Sequence, residues 1–438
     1  MRDIDANTLA ALNGSRTGDA ITVWVWYDGN LANPEPLNVS SWSMDWDTTR
    51  QTQTMTLEVD DTDGFLAPWL LEDVLGVAGA RLQVTYTVGQ AGTVNMGWYR
   101  ITDTDPDENW LPYLIPNAGQ SNQDSPIPTG TALVLVSGGS RIPLTADDLS
   151  VEIANNRFLA PESPKGTAPT ILSELSRLLD GIVPVATTDG VVDRAVNKTL
   201  IYDRDRLNAV QDLCARISCA YRMNGDGQFE VYPVSKTTPV WLVRGGPEGV
   251  LAKVNRSQSL DGLYNVFVAD GTRTINNQQT PIRGIARIDA GPLRAGGPHG
   301  TYPVFYDSTM LTTQAECDAY AATMRDTQVR GLTVDLKVEC APNPALQQGD
   351  WVTVYNAAVG NRVIPLDGRV KTMGLKSAGN TVDRMTLTVE VSYTDLQAAV
   401  TAPQTVSMAG PLNFRPSHTL YPSDTTWPAL TLTPGVTL

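Results

Sequence analysis

One stretch near the end of the chain constrains the fold more than any other. Leu332, Val334, Leu336, Val338 and Cys340 alternate without a break with Thr333, Asp335, Lys337 and Glu339. A period of two belongs to a β-strand with one face buried and one face in water. Trp351–Tyr355, Arg369–Leu375 and Met385–Val391 continue the pattern, separated by turns expected at Asp367-Gly368 and Ala378-Gly379-Asn380. The first hundred residues repeat it. Ile21–Tyr27 is rich in β-formers and stops at Asp28-Gly29, a two-residue hairpin signal. Trp42, Met44 and Trp46, then Met55, Leu57 and Val59, then Leu82, Val84, Tyr86 and Val88 alternate with polar residues. Six of the ten tryptophans lie between Trp24 and Trp98, so large aromatics are expected in the core there.

Helical spacing is confined between these two regions. Thr167 or Thr170 can cap a helix carrying Ile171, Leu172, Leu175, Leu178 and Leu179, with Gly181 just past its end. Asp205 precedes a second helix with Leu207, Val210, Leu213, Cys214 and Ile217 on one side. A hairpin turning at Asn224-Gly225-Asp226-Gly227 follows. Leu263–Ala269 reads as a strand, Asn276–Pro303 as a Gly/Pro-rich loop, and Thr313 with Glu316 as the capping box of another helix. The expected architecture is mainly β with an inserted α/β domain. Residues 1–104 form a first β-barrel, 105–149 a linker and extended connection, and 150–240 the α/β insertion. Residues 241–400 form a second barrel, interrupted by a loop and helix at 291–330, and 401–438 form an extended tail.

Composition narrows the function. The 438 residues carry 32 Lys+Arg against 47 Asp+Glu, a net charge of −15 and a pI near 4.6. That balance argues against a nucleic-acid grip, which needs a basic face, and against anionic membranes. Residues 1–19 lack the basic start and apolar run of a secretory signal, and the apolar run at Leu133–Val136 is too short to span a bilayer. The expectation is folding in the cytoplasm.

Catalytic and metal motifs are weak. The two histidines, His299 and His418, lie in Gly/Pro-rich or tail segments, with no second histidine at zinc-ligand spacing and no G-x-S-x-G elbow. Cys214, Cys219, Cys317 and Cys340 lack C-x-x-C spacing and sit on apolar faces or far apart, as buried thiols do. Asp60-Asp61-Thr62-Asp63-Gly64 looks like a calcium loop. Aligning Gly64 with the invariant glycine puts Val59 and Leu70 where carboxylates are required, so an EF-hand is rejected. No Walker A loop or G-x-G-x-x-G is present. No catalytic, cofactor or metal residue is assigned. Two further readings stay open: a receptor- or carbohydrate-binding protein using the Trp-rich first domain, and a carboxylate-based carbohydrate hydrolase.

From Tyr302 onward the chain resembles the barrel domain of phage tail-hub proteins. The elements are Tyr302-Pro-Val-Phe-Tyr-Asp-Ser308, a capped alanine-rich helix (Ala315 to Arg325), an alternating strand, and then Ala341-Pro-Asn-Pro-Ala-Leu-Gln-Gln-Gly-Asp350-Trp-Val. Arg256–Asn265 followed by Val-Phe-Val looks like the strand opening that barrel, and the segment ending Asn-Gly-Asp-Gly-Gln-Phe-Glu-Val resembles the α/β domain between two hub barrels. Thr419-Leu-Tyr-Pro-Ser-Asp-Thr is similar to the C-terminal segments of minor tail proteins of actinobacterial siphophages. The match covers residues 150 to 425; the first hundred residues fit by type alone.

The resemblance implies a tail-tip or baseplate hub similar to the centre of contractile-tail baseplates. Such hubs are homotrimers whose two barrels per subunit make a pseudo-sixfold ring, adapting a sixfold tube to a threefold tip and passing DNA through the lumen. It implies as partners the distal tail protein ring, the tape-measure protein, and spike or fibre proteins held by the C-terminal tail. The location implied is the virion tail tip. No fused peptidoglycan hydrolase follows the tail, so an enzyme is not expected and no cofactor is implied.

Overall fold

A computed structural model describes residues 1–401, apart from 15–17, 48–51, 117–130, 197, 199, 246–248, 258–261, 276–277, 308–312, 331, 359–361 and 379–383. The expected tail at 402–438, with His418 and the Thr419–Thr425 motif, and the turn at 379–380 lie outside the described residues. Residues Met1–Val400 form one compact unit.

The elements run α1 (Ala6–Leu12), β1 (Ala20–Tyr27), β2 (Asn30–Leu31), β3 (Val39–Asp47), β4 (Thr52–Asp61), β5 (Arg81–Val88), β6 (Gly92–Thr104), β7 (Asp107–Pro116) and β8 (Thr131–Asp148). Next come α2 (Ser150–Asn155), α3 (Ile171–Leu179), β9 (Val185–Thr187), α4 (Arg206–Arg216), β10 (Cys219–Met223), β11 (Phe229–Pro233), β12 (Trp241–Val243) and β13 (Leu251–Ser257). The last are β14 (Val266–Ile275), β15 (Gln278–Arg287), β16 (Pro303–Asp307), α5 (Gln314–Arg330), β17 (Thr333–Cys340), β18 (Trp351–Ala358), β19 (Arg362–Ala378), β20 (Arg384–Ser392) and α6 (Tyr393–Thr401).

Alternation translates directly into burial. Leu82, Val84, Tyr86 and Val88 of β5 are all buried, as are Val334, Leu336, Val338 and Cys340 of β17. Asp28 and Gly29 make the tight β1–β2 turn, both with positive φ (46° and 75°), as a two-residue hairpin requires. The strands near the two ends of the chain do not stand apart. A first set runs β3-β4-β8-β6-β5-β1 and a second β13-β17-β20-β19-β18-β12. They fuse where β3 pairs antiparallel with β19, Met44 opposite Leu375. The result is a 14-stranded sheet over one apolar cluster that draws on both sets. Two separate barrels were expected; the described strands form one continuous sheet with no closed ring of paired strands. Each set nonetheless curls so that its ends approach. Val23 and Val25 of β1 accept from Leu37 N (2.9 Å) and Ala32 N (2.8 Å), on the path into β3. Leu251 N donates to Arg244 O (3.0 Å), linking the starts and ends of β13 and β12.

Residues 105–149, expected as a linker, supply β7 and β8 instead, and β8 pairs with β4, β6 and β7. Its proline-rich neighbourhood hid a long strand, because proline tolerates edge strands such as β7. Asp367-Gly368 is not a turn. It lies inside β19, where Gly368 leaves room for Val389 and the Glu390 carbonyl of the crossing strand. Residues 276–303 are not only loop: β15 pairs with β14, and β16 joins on β14's other edge, giving a separate three-stranded sheet under α5. The apolar run Val266–Ala269, buried on both faces, identified β14 as a strand but said nothing of its partner.

Between the two strand sets, α2, α3, α4 and the sheet β10-β11-β9 share a second core that includes Leu175, Leu178, Leu213, Tyr221 and Phe229. Thr170 caps α3 in a capping box with Ser173, and Asp205 caps α4 through Asn208 N. Thr313 and Glu316 cap α5 reciprocally, as their spacing predicts.

Candidate functional site

Outward-pointing residues of the fused sheet make one polar face. Ser43 and Asp45 on β3 face the same way as Thr54, Thr56, Glu58 and Asp60 on β4 and as Thr372 and Lys376 on β19. Thr386, Thr388 and Glu390 on β20 and Thr333, Asp335, Lys337 and Glu339 on β17 extend it. The face is held by side-chain rungs. Ser43 and Thr56 hydroxyls are 2.8 Å apart, Thr372 and Thr388 hydroxyls 2.7 Å, and Thr54 donates to Asp147 at 2.7 Å. Most of its cations already have carboxylates. Arg141 stands 3.6 Å from Glu58, Arg369 2.9 Å from Glu390, Lys371 3.3 Å from Asp335 and Lys253 3.4 Å from Glu339. A phosphate approaching such a face meets mostly hydroxyls and neutralised pairs, with Lys337 and Lys376 as isolated cations that no ion pair holds among the described residues, rather than a row of free cations. That is the opposite of a nucleic-acid grip.

A buried charged joint lies where the chain start, β6, the β10–β11 hairpin and residues 341–350 meet. Arg2 donates to the carbonyls of Pro344 (2.7 Å), Leu346 (3.1 Å) and Met96 (3.0 Å). Arg222 donates to Glu230 (2.5 Å), to Gln348 O (2.8 Å) and to Asp350 (3.3 Å). Asp350 also takes the Met1 ammonium at 2.7 Å and Gln347 N at 2.8 Å. Burial pulls the Arg2 guanidinium below its usual range. Burial would do the same to Arg222, but Asp350 and Glu230 outweigh it and hold its pKa up. Gly349 has φ +81°, and any Cβ there would run into the Tyr232 ring. The Pro-Asn-Pro-Ala-Leu-Gln-Gln-Gly-Asp segment, read as a turn before a strand, is thus almost wholly buried as the socket of this joint.

The residues weighed as chemical candidates are structural where described. His299 Nε2 lies 3.1 Å from Leu263 O and its ring packs on Tyr302 at 4.7 Å. All four cysteines are buried and unpaired with one another, and burial pushes the Cys214 and Cys340 thiols up to about 12. The Asp61 carboxylate accepts from Gly64 N (3.0 Å), Leu66 N (2.9 Å) and Ser140 Oγ (3.0 Å), closing a turn within the protein. Among the described residues no group of three His, Cys, Asp or Glu is arranged to hold a metal ion. No described helix is long and apolar enough to cross a membrane.

Of the six N-terminal tryptophans, Trp42 and Trp46 belong to the core, while Trp24, Trp26 and Trp98 are half-buried and Trp69 is exposed. Trp26 and Trp98, 5.5 Å apart, line a cleft between the first strand set and the helical segment. Its two adjoining hollows, about 850 and 750 Å³, share Arg81, Arg100 and Ile182. Arg81 binds Glu152 of α2 through both ends of the fork (2.9 and 2.6 Å), and Arg100 lies 3.6 Å from the same carboxylate.

No family model matches the chain, and no curated protein matches it by sequence. Solved structures do match. The tail protein from Neisseria meningitidis MC58 aligns at a TM-score of 0.54 and 12% identity, covering 85% of this chain and 96% of that one. The 43 kDa tail protein of prophage MuSo2 from Shewanella oneidensis aligns at 0.49 and 10%, covering 84% and 98%. The E. coli c3393 protein, a type VI secretion component described as similar to the T4 tail proteins gp27 and gp5, aligns at 0.46 and 12%, covering 84% and 76%. The fold assignment rests on the first of these: over most of its length the chain has the fold of the tail protein from Neisseria meningitidis.

Proposed function

We propose that this chain is the structural hub of a phage tail tip or baseplate, a virion component and not an enzyme. Three copies make a ring whose two curled strand sets per copy give six similar β lobes, adapting a sixfold tail tube to a threefold tip. The observation that carries the reading is the β3–β19 pairing. It fuses two sets of six strands into one sheet with one polar face on which most cations are ion-paired. Repeated three times, that face would make a continuous wall along which DNA slides without being held. The tail-protein fold and the approach of the strand ends in each set support the same reading. The partners of such a hub are the distal tail protein ring above, the tape-measure protein within, and spike or fibre proteins reached by residues beyond 401. The siphophage origin rests on the Thr419–Thr425 segment alone.

Mass measurement of the purified chain tests the reading: a particle of three copies of 47.3 kDa is expected. A strict monomer or a dimer at all concentrations would count against it.

A further inference from the structure

Three tryptophans stand where the core does not use them. In β1 the buried Val23 and Val25 turn inward, so Trp24 and Trp26 stand on the outer face of the sheet. Strand register carries that face across two more strands. Trp26 lies opposite Arg81 of β5, which lies opposite Arg100 of β6; Trp24 lies opposite Gln83, which lies opposite Trp98. A strand that buries one face usually keeps the other polar. Here the outer face sets tryptophan beside arginine and glutamine. Trp26 Nε1 donates to Gln83 Oε1 at 3.1 Å, which orients the indole. The β10–β11 turn packs on Trp98: a Cβ on Gly227 would lie 3.0 Å from its ring.

This face forms one wall of the cleft described above. The charges lining the cleft balance, Arg81, Arg100 and Arg157 against Asp28, Glu152 and Asp226. Glu152 engages Arg81 and Arg100. The side chains of Asp28, Asn155, Asn156 and Arg157 are exposed in the lining and have no hydrogen-bond or ion-pair partner among the described residues. These features select the occupant. Two adjoining hollows of about 850 and 750 Å³ have the size of a small-ligand site and not of a seat for a folded partner. Balanced charge gives an ionic polymer no net attraction. A purely apolar ligand would leave the polar side chains unmatched. A sugar ring meets both demands. Its weakly positive C–H groups suit the negative face of an indole, and its hydroxyls take donors and acceptors in turn, which Arg, Asn and Asp supply.

We propose that this cleft binds a neutral oligosaccharide, with sugar rings against Trp26 and Trp98 and hydroxyls on Asp28, Asn155, Asn156 and Arg157. The aromatic pair and Asp28 line one hollow and the two asparagines and Arg157 the other, so the site takes a short chain of sugars and not a single ring. The inference goes beyond the hub reading and does not depend on it.

Calorimetric titration of the full chain with cellohexaose, maltohexaose and chitohexaose tests it. At least one should bind, change the tryptophan fluorescence, and keep its affinity as salt is raised. Trp98→Ala should weaken that binding about tenfold. Trp98 also packs on the second core, so a second variant guards against a folding defect. Ala78 is exposed in the cleft lining, and Ala78→Trp fills the hollow without removing any packing. It too should weaken binding about tenfold. Trp24 lies outside the cleft, and Trp24→Phe should bind as the wild type does. Binding of none of the three sugars, or binding that Ala78→Trp leaves unchanged, would overturn the proposal. So would a preference for a heparin hexasaccharide that vanishes at high salt, which would mark an anion site. The mass of the particle reads the hub assignment separately, so either can fail while the other stands.

Discussion

Asp148 shows how one buried carboxylate can set a pH response. It is buried at the end of β8 and accepts from Gln53 N (2.8 Å), Ser150 N (3.0 Å) and the Ser150 hydroxyl. Burial outweighs those bonds and raises its pKa to about 6. Between its unfolded value and pH 6 the native state therefore binds more protons than the unfolded chain. The sign follows: the contribution is most favourable below the unfolded pKa and is lost as pH rises through 6. The loss is on the order of 2–3 kcal/mol. Urea midpoints of wild type and Asp148→Asn at pH 5 and pH 8 check this. The wild type should fall relative to the variant on going to pH 8; a gap that does not change with pH would contradict the assignment.

Arg222 gives the second prediction at this scale. Its removal takes the guanidinium from half-buried Glu230 and from buried Asp350, which keeps only the Met1 ammonium. Arg222→Leu should cost about 3–5 kcal/mol. Adding Glu230→Gln should recover part of that loss in the same urea titrations. None of this joint was legible in the sequence. Arg2 lies between Met1 and Asp3 and Arg222 alternates in a short strand, and both patterns read as surface. Local spacing carries no information about contacts made across more than a hundred residues. The one usable signal was the Pro-Asn-Pro to Gly-Asp segment, whose rigid residues and positive-φ glycine mark a shaped loop.

At the scale of elements, capping and alternation were readable because their causes are local. Thr170, Asp205 and Thr313 cap the helices their spacing predicts, and the tight turn at Asp28-Gly29 follows from two positive φ values. What failed was partnership. Both β14 and β20 read as strands in sequence, yet β14 joins a three-stranded sheet and β20 the large one. Helix α1 escaped notice because seven residues with two buried side chains carry almost no periodicity. The helical segment offers a clean test of packing. Leu213 is fully buried on α4 among the residues of the second core. Leu213→Asp should destabilise that segment by about 3–5 kcal/mol, because the new carboxylate has no partner there. Faster amide exchange across residues 171–231, with β17 and β20 still protected, is the expected signature; unchanged exchange would contradict the packing.

For the whole molecule, the sequence supplied the class of fold but not its joinery. Mainly-β architecture with helices between two strand regions follows from periodicity. The fusion of the two regions through β3 and β19 does not, because a strand edge has no signature separate from its face. That fusion is the basis of the functional account, since it turns two patches of alternating residues into one wall. Cryo-electron microscopy of the assembled ring, alone or within tail tips, tests the account most directly. It should show threefold symmetry, six similar β lobes, and an open channel lined by the face bearing Ser43, Thr56, Thr372 and Thr388. A particle without a threefold axis, or a ring with that face turned away from its channel, would contradict it.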